Sequence, residues 1–277
     1  MHYVVIGAGY TGRRVMDRLP RDRCQALGRP DFDLDTGDAE LPPLSRPYCA
    51  LYTVPPAPGS DGDSRLRRLL ARSEFLPQRF VYLSTTGVYG DRQGRRVDEL
   101  SEPAPSSARA TRRLRAEHSL QGWADKTGVK LLILRVPGIY GPGRLGLDRI
   151  GHGVPVIAEA EASPGNRIHV DDLADCCVLA MTTTAATGIY NVGDGDHRSG
   201  TWFTKTVATL AGLPAPPEVS RAEAEASFDP MRMSFLAESR IVDTTRMRET
   251  LGFTPRYGNA EDGIRATLKS EKNASAS

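Results

Sequence analysis

Short apolar runs rich in β-branched and aromatic residues alternate with amphipathic stretches through the first half of the chain. "YVVIG" (3–7) is followed by "TGRRVMDRL", then come "CQALG" (24–28), "CALYTV" (49–54), a helical pattern from about 63 to 75, and "RFVYLS" (79–84). Unbroken apolar runs of this length predict buried strands, and apolar positions three and four apart predict helices. The alternation predicts βαβ units around a parallel sheet. A longer helix is expected from about 106 to 127, with "VKLLILRV" (129–136) and "GIYNVG" (188–193) as further strands, making about six. Beyond residue 195 the texture changes to short helical pieces and Pro-rich connections such as "LPAPPEVS" and "FTPRYGNAEDGI".

The expected fold class is therefore α/β, a Rossmann-type doubly wound parallel sheet with a small C-terminal α/β substrate lobe. A nucleotide-binding domain would span 1–195, with 151–168 contributing to the lobe. The lobe itself would span 196–268 and a polar, frayed tail 269–277.

Composition narrows the class of partner. The 277 residues are 39% hydrophobic and 25% charged with a formal net charge of +2, an ordinary globular balance that points to neither nucleic acid nor membrane. No apolar run is long enough for a membrane span and no signal-like segment leads the chain. Cys24, Cys49, Cys176 and Cys177 lack metal-binding spacing and read as reduced thiols, so a cytoplasmic protein without a metal is expected.

"VVIGAGYTGRRV" places Gly7, Gly9 and Gly12 after the first strand and at the start of the first helix, the context a dinucleotide fingerprint requires. Gly7 permits the tight turn, Gly9 lets backbone approach a pyrophosphate beside Tyr10 and Thr11, and Gly12 permits close helix packing. The second strand ends at Gly28 and Arg29 where an acidic residue would select a ribose hydroxyl. Arg29 suits a 2′-phosphate, so NADP is preferred, with NAD the alternative.

Four further stretches follow in order: "YLSTTGVYGD", "LRVPGIYGPGR", "NRIHVDDLA" and "IYNVGDG". Together they resemble the extended short-chain dehydrogenase/reductase superfamily, specifically its NAD(P)-dependent epimerase/dehydratase-like proteins. The resemblance covers residues 1 to about 195 and continues weakly through "VDTTRMRETLGFTPRY". It implies that Thr85 takes the place of the active-site Ser or Thr, with Ser84 beside the cofactor. It implies that Val54 and Pro55 lie by the cofactor riboses and Pro137 and Gly138 by the nicotinamide, with Tyr140 close behind. Asp33 and Leu34 would border the adenine, and His169 and Asp171 would help start a helix between the lobes.

The same resemblance implies a tyrosine and a lysine eight and four residues before Glu117, but "RATRRLRAE" has Arg109 and Arg113 there. Residues four apart share a helix face, so both cations would face the cleft. Arg113 can still hold a ribose diol, whereas Arg109 stays protonated and cannot exchange a proton. The catalytic candidates are therefore Thr85, Arg109, Arg113 and Tyr140, with Tyr140, Tyr89 or a water as replacement proton donor.

Two function classes follow. One is an atypical oxidoreductase or epimerase/dehydratase-like enzyme acting on a small molecule, with an anionic group on it as one option. The other is a catalytically inactive NADP-binding sensor that works through a protein partner. Arg65, Arg68 and Arg72 share a basic face on the helix at 63–75, which would repel a second such face. Monomer and homodimer are both expected states.

Overall fold

The structure is a computed structural model that describes residues 1–29, 32–36, 40–183 and 187–275. Six strands form one sheet: β1 (His2–Ile6), β2 (Cys24–Leu27), β3 (Tyr48–Tyr52), β4 (Arg79–Thr85), β5 (Lys130–Val136) and β6 (Gly188–Asn191). All pairings are parallel, in the order β6-β5-β4-β3-β1-β2. All five residues of β3 and six of the seven in β5 are buried, as strands covered on both faces must be.

Helices α1 (Tyr10–Met16), α2 (Ser64–Leu70), α3 (Ala108–Thr127) and α4 (Val170–Thr182) supply that cover. Val15 and Leu19, together with Leu173, Ala174, Cys176 and Cys177 of α4, close one face over Val5, Leu51, Val81 and Leu132. Leu66 and Leu69 of α2 and Ala116, Leu120 and Ala124 of α3 close the other over Ile6, Tyr52, Phe80 and Ile133. Asp63 caps α2 by accepting from the Leu66 amide at 3.0 Å, and Ser107 caps α3 through the Ala110 amide. Gly128, in left-handed backbone at φ 73°, ends α3.

The connection from β2 to β3 has no regular element among its described residues. It instead lays Phe32–Asp35 across the basic face of α2. Arg68 Nη1 donates to the carbonyls of Leu34 and Asp35 at 3.0 and 2.8 Å, Arg65 forks onto the Asp35 carboxylate, and Arg72 lies over Phe32. The face expected to repel a second helix is thus spent within the chain.

The lobe draws on more of the chain than residues 196–268. Its core joins Tyr140, Leu145 and Ile150 to Val207 and Ala208 of α5 (Gly200–Ala211) and to Ala260, Ile264 and Leu268. A short helix, α6 (Pro230–Leu236), precedes the last one, α7 (Ala260–Ser275). The polar tail expected to fray from 269 continues as helix to Ser275, and residues 276–277 lie outside the described residues. No described helix is long and apolar enough to cross a membrane.

One buried ion pair sets how α3 sits on the sheet. Glu117 of α3 and Arg135 of β5 are each 3% exposed, with Nη2–Oε2 at 2.7 Å and Nε 3.2 Å from both carboxylate oxygens. Ser84 of β4 donates to the same carboxylate, and the Arg135 guanidinium lies 4.9 Å from the centre of the Tyr89 ring. Tyr89 in turn donates to Asn191 Oδ1 of β6 at 2.7 Å.

Removing one charge of a buried pair strands the other. We expect Glu117→Gln to cost about 3 kcal/mol or more in urea unfolding, and a loss below about 1 kcal/mol would be that of an exposed pair.

Candidate cofactor and active site

The C-terminal ends of β1, β2 and β3 open onto a cavity of about 330 Å³ lined by Gly7, Ala8, Gly9 and Arg13 on one side and Ala26–Arg29, Phe32–Asp35, Val54 and Arg65 on the other. β1 lies between β2 and β3, so successive crossovers leave it in opposite directions, and such a switch point is where open α/β sheets take ligands.

The glycine turn fits a nucleotide diphosphate there. Gly7 has φ 92°, and a Cβ on it would meet Thr53 Oγ1 and Val54 Cγ2 at 2.7 Å. A Cβ on Gly12 would stand 2.3 Å from the Gly7 carbonyl oxygen. Above Gly9, by contrast, a Cβ would meet nothing within 4 Å, so this backbone is open to an approaching ligand. No side chain caps the start of α1, which leaves its first amides available as donors.

Tyr10 turns to the far side of this turn. Its ring lies between the guanidiniums of Arg14 and Arg144, at 4.3 and 3.8 Å, and its hydroxyl donates to the Pro142 carbonyl at 2.9 Å. Thr11 is buried beneath it.

Three arginines line the cavity. Arg13 donates through Nε to the Ala8 carbonyl, and Arg29, 69% exposed at its side chain, reaches Asp35 Oδ2 at 3.2 Å. Arg65 holds both oxygens of Asp35 at 2.5 and 2.7 Å, and this ion pair pulls the carboxyl below its usual pKa. Asp33 and Leu34 line the same cavity.

The exits of β3 and β4 lie next along the same edge of the sheet. Arg113 donates through Nη1 to the Leu83 carbonyl at 2.8 Å, the Tyr82 hydroxyl at 3.1 Å and, more weakly, the Val54 carbonyl at 3.4 Å. It therefore bridges the exits of both strands. Pro55 is exposed just beyond, its carbonyl accepting from Arg65 at 3.1 Å.

Thr85 ends β4 and accepts from the Gly87 amide at 3.1 Å, so its own hydroxyl hydrogen is available to another acceptor. Pro137 and Gly138 follow β5 at the same edge of the sheet, half-buried and exposed respectively.

Other expected positions turn elsewhere. Ser84 is 6% exposed and spends its hydroxyl on Glu117, so it belongs to the core beneath the cleft and not to a cofactor surface. Arg109 is exposed and stacks on Phe235 of α6, 4.0 Å from guanidinium carbon to ring centre. Neighbouring Ser106 donates to Glu238 at 2.5 Å, so the start of α3 is fastened to the lobe.

Both replacement tyrosines are misplaced for proton transfer beside Thr85. Tyr140 lies in the lobe core, its ring 5.2 Å from His169 and 5.3 Å from Phe203, with its buried hydroxyl unpaired against Gly263. Burial pushes its pKa up. Tyr89 is fully buried in the Glu117–Arg135 network, and burial raises its pKa too.

His169 behaves as a cap. Its Nδ1 accepts from the Asp171 amide at 3.2 Å, which leaves Nε2 protonated to donate to Thr267 Oγ1 at 3.1 Å. Burial pushes its pKa down to about 4. Asp171 pairs with Arg18 at 3.1 Å and ties α4 to the segment just after α1. Among the described residues no group of three or more His, Cys, Asp or Glu side chains is arranged to hold a metal.

The comparisons agree with this architecture. Residues 64–193 match the NAD dependent epimerase/dehydratase family. A functionally unknown conserved protein from Silicibacter pomeroyi superposes with a TM-score of 0.82 at 29% identity, over 97% of this chain and 98% of that one. Thermus thermophilus UDP-glucose 4-epimerase, in complex with NAD, shares the fold at a TM-score of 0.73 and 23% identity, over 97% and 98% of the two chains. Protein YeeZ of Escherichia coli K12 is 28% identical over 184 residues, 65% of this chain and 58% of its own. The chain spans 51% to 59% of the length of curated relatives of this kind.

The central six-stranded parallel sheet is the Rossmann-like fold that the Thermus epimerase structure shares. Across residues 64–193 the chain is thus similar to the NAD dependent epimerase/dehydratase family.

Two expectations follow from the buried groups. Tyr140→Phe removes an unpaired hydroxyl and should be neutral or stabilising by up to about 1 kcal/mol, whereas a catalytic donor would show its loss in turnover. For His169 the folded pKa of about 4 lies below the ordinary 6.5, so its contribution is intact above 6.5 and is lost as pH falls toward 4. Up to about 3 kcal/mol of unfolding free energy should disappear over that window, and His169→Gln should flatten the slope.

Proposed function

We propose that the chain is an NAD(P)-dependent oxidoreductase or epimerase/dehydratase-like enzyme acting on a small molecule, with NADP preferred over NAD. The observation that carries the reading is the cavity at the β1 switch point, with its glycine turn and Arg13 on one side and Arg29 and Arg65 on the other. Guanidinium groups match a phosphate dianion by charge-assisted, two-pronged hydrogen bonds. The NAD found with the Thermus relative supports a dinucleotide of this type.

A bound nicotinamide would supply hydride-transfer chemistry at this site. The chain's own residues handle the rest. Glycine backbone and the first amides of α1 hold the pyrophosphate, and Arg113, anchored through Nη1, offers its remaining donors to the nicotinamide ribose. Thr85 donates to the substrate oxygen that gains or loses the proton. Aligned from Glu117, Arg109 and Arg113 stand where the family's tyrosine and lysine would be, so the lysine's binding role persists and the tyrosine's proton role does not.

With Tyr89 and Tyr140 enclosed in the two cores, the proton reaches the substrate through water held against Thr85. Arg109 contributes fixed positive charge at the mouth, which favours a substrate with an anionic group.

The large exposed apolar side chains among the described residues are Met1, Leu76, Leu100, Met231 and Phe235, none of them on α2 or α3. Those two helices therefore offer little apolar surface for a helical dimer interface, which supports a monomer.

The reading is tested by fluorescence titration with NADPH and NADH, followed by absorbance of the reduced cofactor across a panel of hydroxy and keto compounds. NADPH should bind more tightly, and Arg29→Ala should cost about tenfold for NADPH while sparing NADH. Equal losses for both would remove the NADP preference. Binding without turnover of any panel compound would count against the enzyme.

A further inference from the structure

Arg65 belongs to α2, a different crossover from the one that carries Arg29, and sequence spacing does not bring the two together. The segment Phe32–Asp35 does so by presenting one carboxylate to both. Arg65 meets Asp35 as a fork, Nε to Oδ1 at 2.5 Å and Nη2 to Oδ2 at 2.7 Å, and Arg29 Nη2 meets Oδ2 at 3.2 Å. The Arg65 side chain is only 16% exposed, and its Nη1 is tied to the Pro55 carbonyl at 3.1 Å, so the cation is placed in advance. Asp35 is 38% exposed and lines the nucleotide cavity, where another anion can reach its partners.

An anion held between two guanidiniums at the rim of a nucleotide cavity marks where a phosphate would compete, with the same kind of acceptor oxygens and more charge. We propose that Arg65 and Asp35 determine cofactor choice: Arg65 grips the 2′-phosphate together with Arg29, and Asp35 is the internal carboxylate that the phosphate displaces. This rests on the NADP reading above. Before binding, Asp35 neutralises the two cations and keeps them aimed at one point. Once the phosphate arrives, Asp35 gives up its place, and a dinucleotide without that phosphate gains nothing from the arginines.

The test uses 2′,5′-ADP and 5′-ADP, which differ by the 2′-phosphate alone, in calorimetric titrations of the full chain. The native protein should bind 2′,5′-ADP more tightly. Arg65→Ala should weaken 2′,5′-ADP by about tenfold or more and leave 5′-ADP within about twofold, which also shows that the nucleotide site still folds. Asp35→Asn should tighten 2′,5′-ADP by about threefold and leave 5′-ADP unchanged.

Equal weakening of both nucleotides by Arg65→Ala would make the arginine a mere brace for the loop and overturn the proposal. So would Asp35→Asn that leaves 2′,5′-ADP no tighter, or that weakens 5′-ADP, since Asp35 would then be holding ribose hydroxyls. Failure of the underlying reading looks different: the native protein would not distinguish the two nucleotides and Arg29→Ala would change neither. If Arg29→Ala erases the distinction and Arg65→Ala preserves it, the NADP reading stands and the part given to Arg65 and Asp35 is lost.

Discussion

The carboxylate of Glu117 and the guanidinium of Arg135 are both shut away from water, and each is tolerable there only because the other is within 2.7 Å. A helix that must deliver a carboxylate to one point beneath β4 and β5 has little freedom to rotate or slide. A shift of one residue would turn α3 by about 100° and pull Glu117 out of reach. With the register fixed, Arg113, one turn earlier on the same face, arrives at the exits of β3 and β4. Strand alternation does the complementary work: Ser84 points down to the buried carboxylate, while Thr85, the next residue, is left at the strand end to face the cleft.

Charge at the other end of the cleft follows a different rule. The arginines of α2 would repel one another and any basic neighbour, yet the loop after β2 covers them with two carbonyls, one ring and one carboxylate. The same covering shapes the far wall of the nucleotide cavity. A basic helix face that suggested a surface feature in this way lends Arg65 to the cavity wall, and the long connection between Leu27 and Tyr48 is what makes it so.

The lobe contributes both the enclosure and the exclusions. Tyr140 lies two residues past Gly138, but the strand Gly138–Tyr140 pairs with Arg167–His169 and leads the ring away beneath α7. A hydroxyl in that position has no route to substrate. Arg109 remains outside, where Phe235 from α6 receives it and the Ser106–Glu238 contact holds the lobe to α3. The Arg109 guanidinium is thereby positioned by the lobe and not by the sheet.

Much was legible in the chain itself, because it depends on local periodicity and backbone sterics. The strand and helix alternation, the six parallel strands, the glycine turn at Gly7–Gly12 and the helix starts near residues 63, 106 and 169 are each decided within a few residues. Glu117 served as an anchor for the same reason, since helical spacing alone places Arg113 and Arg109 relative to it. Tertiary structure decided what distance along the chain conceals. It took Ser84, Tyr89 and Tyr140 into the interior, extended the lobe core back to Tyr140, and brought Arg65 beside Arg29 through Asp35. Side-chain direction at a strand end and charge pairing between separate crossovers are settled only when the whole sheet is assembled, and no local pattern encodes them.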